Sequence, residues 1–198
     1  GSEMCIRDRS DILDLSKIES NTMEFNFCNI SLHQVLNEIG SAQRMNMKKG
    51  VELLLDLPGQ EITIATDPTR LSQIINNLVN NAIKFTSEGN IRIGYRPATS
   101  NRVKIFVEDT GTGMAKEVIE HIFDRFYKTD LSRGKDKKGT GLGLSIAKEI
   151  IHSHGENINV ISTEGVGTEF IFTIARAEDD DEDEDEEDAV VSTEKNNK

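Results

Sequence analysis

Cysteine is scarce: Cys5 and Cys28 are the only two in 198 residues. That is too few for a disulfide framework and suits a reducing compartment. Apolar runs near the roughly 18 residues of a membrane-crossing helix are absent, and no secretory leader pattern opens the chain. The expectation is a cytoplasmic segment that does not insert into a membrane, which leaves open a membrane tether in a longer parent protein. A basic patch is also missing. The formal net charge is −12, but residues 178–188, EDDDEDEDEED, are all acidic, and without them 24 acids face 23 bases. The folded part is therefore nearly neutral, and nucleic-acid binding is disfavoured. An acid block of this kind buries no apolar surface, so residues 177–198 are expected to form a disordered acidic tail.

What is present reads as one domain with appendages. Residues 1–9 show no periodicity and look like a non-native junction. In residues 10–21, Ile12, Leu13, Leu15 and Ile18 mark the end of a helix that began upstream. TMEFNFCNI alternates like a strand, and Ser31 caps a helix running to about Met47. VELLLDL and EITIAT are short strands separated by the Pro58-Gly59 turn signal. Asp67-Pro68 opens the strongest helix, with an apolar ladder of Leu71, Ile74, Ile75, Leu78, Val79, Ala82 and Ile83. NIRIGYR and RVKIFVED pair as a hairpin, a short helix lies near 115–122, and INVIST and TEFIFTI close the domain. Helices and strands mix without regular βαβ alternation. The fold class is therefore an α/β (α+β) two-layer sandwich, one mixed sheet against helices.

KGTGLGLSIAKEI places Gly139, Gly141 and Gly143 at the start of an amphipathic helix, where unpaired backbone donors favour an anion. The familiar phosphate loops do not fit: Leu144 stands where a dinucleotide fingerprint needs its third glycine, and Thr140 where a P-loop needs lysine. The rest of any site must come from elsewhere. On the helix from Asp67, Asn77, Asn81 and Lys84 share a strip about 60° wide. Such a strip is either an ordinary wet helix face or a set of amide oxygens for a hard cation beside a charge for phosphate. VEDTGTGM ends a strand in Asp109, followed by Gly111 and Gly113. This is either an Asx turn or a carboxylate that accepts from an exocyclic amine where glycines admit a flat ring.

DPTRLSQIINNLVNNAIKFT, VEDTGTGM, IFDRFYKTD, KGTGLGLSIAKEII and EGVGTEFIFTI, in this order and spacing, resemble the N, G1, F, G2 and closing glycine boxes of the ATP-binding domain of sensor histidine kinases of two-component systems. That domain belongs to the gyrase, Hsp90, histidine kinase and MutL superfamily, and the likeness covers residues 22–176. DILDLSKIES resembles the last turns of the second dimerisation helix. The resemblance implies a Bergerat-type fold that binds ATP with Mg2+. Asn77 and Asn81 would hold the metal, with Lys84 near the phosphates and Phe85 lining the pocket. Asp109 would bind the adenine amine, Gly111 and Gly113 would shape its slot, and Thr168 is a lesser candidate at that end. Gly139, Thr140, Gly141, Leu142 and Gly143 would wrap the phosphates under a lid from Asp124 to Lys138. Arg125, Phe126, Lys128 and Lys138 belong to that lid, as do Arg133, Lys135 and Lys137, while Phe123 and Phe126 would anchor it. A helix terminus contributes about 0.3 to 1 kcal/mol to an anion, and millimolar binding takes about 4 kcal/mol. Metal and lid cations are therefore required.

The resembled kinases phosphorylate a histidine followed by Asp or Glu on their first dimerisation helix. Here His33 precedes Gln34, His121 precedes Ile122, His152 precedes Ser153 and His154 precedes Gly155. The phospho-acceptor is thus expected on a dimerisation domain absent from this chain, with relay to a response regulator receiver domain. The segment alone is expected to be a monomer with little or no autophosphorylation. A nucleotide-regulated binding module or pseudokinase is the alternative. An ATPase of the gyrase or MutL kind is disfavoured, because the helix bearing Asn77 and Asn81 lacks the general-base Glu. In HGENINV, Glu156 replaces a second glycine and puts only a turn in doubt.

Overall fold

The computed structural model describes residues 2–128 and 140–177. Arg133, Lys135, Lys137 and Lys138 of the expected lid, the glycine Gly139 and the acid block 178–188 lie outside the described residues. In chain order the elements are α1 (Ser2–Glu19), β1 (Cys28–Ser31), α2 (Leu32–Arg44), β2 (Val51–Asp56), β3 (Thr63–Thr66), α3 (Pro68–Phe85), β4 (Gly89–Thr99), β5 (Arg102–Asp109), α4 (Lys116–Ile119), α5 (Gly143–Ser153), β6 (Ile158–Thr163) and β7 (Gly167–Ala175). None of the described helices is long and apolar enough to cross a membrane.

Five strands form one mixed sheet in the order β2-β4-β5-β7-β6, with β2 parallel to β4 and the other pairs antiparallel. Strand alternation gives this sheet one apolar face. Ile91, Ile93 and Tyr95 of β4, Val103, Ile105 and Val107 of β5, and Phe170, Phe172 and Ile174 of β7 are all buried in the core. The ladder of α3, the Leu32, Val35, Leu36 and Ile39 stripe of α2, and Ile146, Ala147, Ile150 and Ile151 of α5 complete that core. The opposite face is polar. There Arg92 pairs with Glu108 and Asp56, Arg96 pairs with Asp56, and both guanidinium groups lie 5.7 Å from the Phe106 ring centroid. This is the two-layer arrangement that the mixed pattern predicts.

The caps hold as the sequence implies. Ser31 accepts from the Gln34 amide at 3.1 Å. Asp67 accepts from the Arg70 amide at 3.0 Å and, through its other oxygen, from the Asn26 amide at 2.8 Å. One carboxylate thus caps α3 and ties down the segment before β1. The strand expected over TMEFNFCNI is shorter than its alternation suggests, since only Cys28–Ser31 pairs, with β3. Phe25 and Phe27 instead turn their rings onto the His154 imidazole, with centroids 5.3 and 5.1 Å away. Packing on the end of α5 takes precedence over pairing there.

Glu156 does more than occupy a turn. It is buried, accepts from Arg102 Nε at 2.7 Å and also from the Thr173 hydroxyl, so it stitches the end of α5 to β5 and β7.

Candidate functional site

β5 ends in Asp109, directly opposite Thr168 of β7 in the sheet register. The carboxyl is only 5% exposed. Its Oδ1 accepts from the Gly111 amide at 2.8 Å. Burial pushes its pKa above the ordinary carboxylate value, against the opposing pull of the Gly111 and Thr168 amides and the Thr86 hydroxyl. An acid held like this lacks hydration and gains most from a further donor. Beside it, the buried Thr86 hydroxyl is near enough to favour the carboxylate but makes no hydrogen bond of good geometry, the kind of group that a ligand or bridging water satisfies.

The chain approaches itself closely here. A Cβ on Gly111 would lie 2.5 Å from the Phe85 carbonyl oxygen and 2.8 Å from Thr86 Oγ1, so only glycine fits between α3 and β5. The neighbouring Thr112 amide donates to that same Phe85 oxygen at 3.1 Å. Gly113 takes φ +61°, and a Cβ there would meet the Thr163 carbonyl oxygen at 1.9 Å. These contacts join the end of α3, the loop after β5 and the β6–β7 hairpin into one corner. Phe85 lies half-buried in it, with the Lys84 ammonium 5.4 Å from its ring centroid.

Asn77 marks the other end. Its Nδ2 donates to the Gly143 carbonyl at 3.1 Å, joining α3 to the first residue of α5. With its nitrogen so engaged, the amide oxygen of Asn77 is left as an acceptor. Asn81 and Lys84 are half-buried one and two turns further along the same strip. Among the described residues no group of three or more His, Cys, Asp or Glu could hold a metal. Two amide oxygens suit a hard cation only when other oxygens, such as phosphate, complete its shell.

Between these ends lie the flanks of segment 129–139. The Phe126 amide donates to the Gly141 carbonyl at 3.1 Å, so the segment leaves and re-enters at one point. Phe126 is held by its backbone, at φ +60°, while its side chain is 63% exposed. It is not the ring anchor that its aromatic character suggested. Phe123 does pack on the body of the domain, edge-on to Phe170 with centroids 6.1 Å apart. The Thr140 hydroxyl accepts from the Leu142 amide at 3.3 Å and donates to Asp11 of α1 at 3.1 Å. Arg125 is ion-paired with Glu19 of α1. Lys128 is half-buried, Leu142 is buried, and Gly143 starts α5.

Sequence reasoning passed over three contributors. Thr86 has no neighbour pattern to mark it. Ser162, whose hydroxyl accepts from the Met114 amide at 2.9 Å, carried a usable signal, as the one polar residue on the inward side of INVIST, in line with Ile158 and Val160. Asp14 is buried, accepting from Gln73 Nε2 at 2.7 Å and from Arg70 Nη1 at 3.3 Å, and it docks α1 against α3.

Residues 66–178 match the family model described as histidine kinase-, DNA gyrase B-, and HSP90-like ATPase. The sensor histidine kinase WalK of Bacillus subtilis is 34% identical over 176 residues, which is 87% of this chain and 29% of that protein. A WalK of Staphylococcus aureus is also 34% identical, with 42% of its length covered. The chain thus spans well under half of the curated relatives it matches. Full-length ShkA, solved in complex with AMPPNP, superposes with a TM-score of 0.77 at 26% identity, over 87% of this chain and 36% of ShkA. The catalytic domain of histidine kinase ThkA gives 0.65 at 30% identity, over 76% of this chain and 98% of that domain. With its mixed sheet, its two-ended site and these likenesses together, the chain belongs to the histidine kinase-, DNA gyrase B- and HSP90-like ATPase family, on its sensor histidine kinase side.

Proposed function

We propose that this chain binds ATP with Mg2+ in the cleft between Asp109 and Asn77, as the catalytic domain that donates the γ-phosphoryl group to a histidine on a dimerisation domain. The observation that carries the reading is the corner at Asp109. A buried carboxyl of raised pKa and a Thr86 hydroxyl without a well-formed hydrogen bond sit together where glycine alone allows a close backbone approach. A base with an exocyclic amine fits such a corner, because its donor restores the solvation that burial removed. Asn77 and Asn81 would hold the ion that arrives with the phosphates, which supplies charge neutralisation. Lys84 adds a cation beside them, and the amides at the start of α5 face an anion. Lys128 and the basic residues of segment 129–139 belong to the lid of this reading.

Phosphoryl transfer asks the protein mainly for positioning and charge neutralisation. The histidines of the chain are employed otherwise. His33 Nδ1 lies 2.5 Å from the Tyr95 hydroxyl, His154 bonds the Ile150 carbonyl and the Thr66 hydroxyl, and His121 bonds Asp124. His152 is exposed and precedes Ser153. The acceptor histidine and the receiver domain that takes the phosphoryl group onward are therefore supplied by other segments or chains.

The test is calorimetric titration with a non-hydrolysable ATP analogue, with and without magnesium, on the chain and on Asn81→Ala. Transfer of labelled phosphate to an added dimerisation domain follows. Magnesium-dependent binding that Asn81→Ala weakens, together with transfer, is the expected result. Binding without transfer to any acceptor would favour the nucleotide-regulated module, and an absence of binding by folded protein would refute the reading.

A further inference from the structure

Residues 22–27 join α1 to β1 without belonging to either. α1 ends in its own turn, with Asn21 at φ +53° and the Thr22 amide donating to the Lys17 carbonyl at 2.8 Å. Ladder pairing begins only at Cys28. Among the described residues, the Asn26 amide on Asp67 is the one hydrogen bond from this stretch to the body of the domain beyond α1. Its other holds are side chains. Met23 and Phe25 lie at the margin of the core, and Phe27 stays 55% exposed.

The ring that these aromatics meet is fixed in place. His154 closes α5, and because a carbonyl cannot donate, its Nδ1 carries the proton given to the Ile150 oxygen at 2.8 Å. In the neutral ring Nε2 accepts from the Thr66 hydroxyl at 3.0 Å, and Thr66 is fully buried. Both nitrogens are thus engaged by the domain, which leaves the ring itself as a platform. Phe25 meets it edge-on with centroids 5.3 Å apart, Phe27 lies tilted at 5.1 Å, and the two phenyl rings are 5.9 Å from each other. Thr66 and Asp67 are consecutive, so the platform and the carboxylate that holds Asn26 are anchored at one point, where β3 runs into α3.

We propose that residues 22–27 are a releasable strap latched on the His154 ring, which opens and recloses while the core stays folded. Ring contacts and one amide hold it, and no ladder has to break. Local opening is drawn from segments with few buried contacts and little backbone pairing. The strap is the covalent path from α1 to the domain, and once free it spans up to about 20 Å. α1 keeps its separate seat at Asp14 and Leu15. Latching therefore decides whether a movement of that helix is passed to the end of α5 or absorbed as slack. The use of that slack rests on the reading above, in which a donor domain meets an acceptor carried elsewhere, whereas the latch stands on the contacts alone.

The experiment is amide hydrogen exchange, read by mass spectrometry, on the chain, Phe27→Ser and His154→Gln, with thermal melting of each. No nucleotide enters it, so its failure and that of the ATP reading are distinguishable. Phe27→Ser changes a side chain outside the core, and His154→Gln keeps an acceptor for Thr66 while removing the ring. In the unsubstituted chain, residues 24–28 are expected to exchange faster than β4 and β5 but slower than a free peptide. Each substitution should speed that exchange by about tenfold, the scale of one aromatic contact, with β4 and β5 protected as before. Should His154→Gln melt early, Phe27→Ser decides alone. A strap that exchanges only as slowly as β5 in the unsubstituted chain opens only with the whole domain, which overturns the proposal. An unchanged strap rate in Phe27→Ser overturns it too, as does a gain spread evenly over strap, β4 and β5.

Discussion

Asp109→Asn preserves shape and removes charge. The carboxylate accepts from the Gly111 amide at 2.8 Å, and its other oxygen is left for a ligand. An asparagine can turn its oxygen to only one of the Gly111 amide and the incoming amine, so its NH2 must face the other. An unsatisfied buried donor costs about 1 to 3 kcal/mol. The same exchange removes a charge-assisted hydrogen bond to the base, roughly twice as strong as a neutral one. At about 1.4 kcal/mol per tenfold, the ATP analogue should bind about 5- to 150-fold more weakly. The pH dependence has a definite sign. Burial raises the Asp109 pKa, so below the unfolded-state value the carboxyl is protonated in both states and its burial carries no charge penalty. As pH rises towards the folded value, the unfolded chain releases its proton first and the unliganded protein loses stability. Nucleotide affinity should rise over that same window, as the acceptor becomes ionised. Titration calorimetry and thermal melting at pH values from 4 to 8 test both halves. Affinity within about threefold of the parent, a difference under 1 kcal/mol, with the same melting profile against pH, would refute the assignment of Asp109 to the base.

The Asp67 carboxylate behaves in the opposite way. Burial alone would raise its pKa, but the Asn26, Arg70 and Thr69 amides prevail and hold it below the ordinary value. Its stabilisation is therefore present above the unfolded-state value and lost as pH falls through the folded one. Asp67→Ala should cost about 1 to 2 kcal/mol in urea unfolding near neutrality, the range for a helix cap, with the deficit vanishing in acid. Gly113→Ala places a Cβ 1.9 Å from the Thr163 oxygen at φ +61°. It should lower the melting temperature and weaken the ATP analogue together, and unchanged melting would contradict the contact. Glu156→Ala strands the Arg102 guanidinium at the end of α5 and leaves the Thr173 hydroxyl without its acceptor. Destabilisation of about 1 to 3 kcal/mol with nucleotide affinity retained is expected, since these residues lie away from Asp109.

The helical and strand periods carried most of the fold. The ladder from Leu71 to Ile83, the hairpin of β4 and β5 and the closing pair β6–β7 all stand where alternation put them, because each buries one face on the same core. Phe25 and Phe27 misled for a physical reason: alternation predicts which residues point the same way, but what they meet is a tertiary matter, here the His154 ring. The site followed the same division. Asp109, Gly111 and Asn77 were legible because their residue types are unusual for their positions. Thr86 was not, since a hydroxyl at a helix end looks ordinary until its neighbours are known, and Ser162 showed only as a polar residue in an apolar row. The stitching role of Glu156 was not legible, because its partners Arg102 and Thr173 come from strands apart from it in the chain.

The attachments of α1 carry a mechanical consequence. Asp11 and Glu19 lie eight residues apart, about 12 Å along the helix axis, and grip Thr140 and Arg125 on the two flanks of segment 129–139. The exposed Glu19 pair is worth no more than about 1 kcal/mol, and the half-buried Asp11 contact is a single hydrogen bond. The steadier hold comes from Leu15, seated in the core, and from Asp14 at Arg70 and Gln73. The C-terminal half of α1 therefore works as an axle, with a firm bearing at Asp14 and Leu15 between two light couplings at Asp11 and Glu19. A small roll of this helix would slip both couplings at once while its seat stayed engaged.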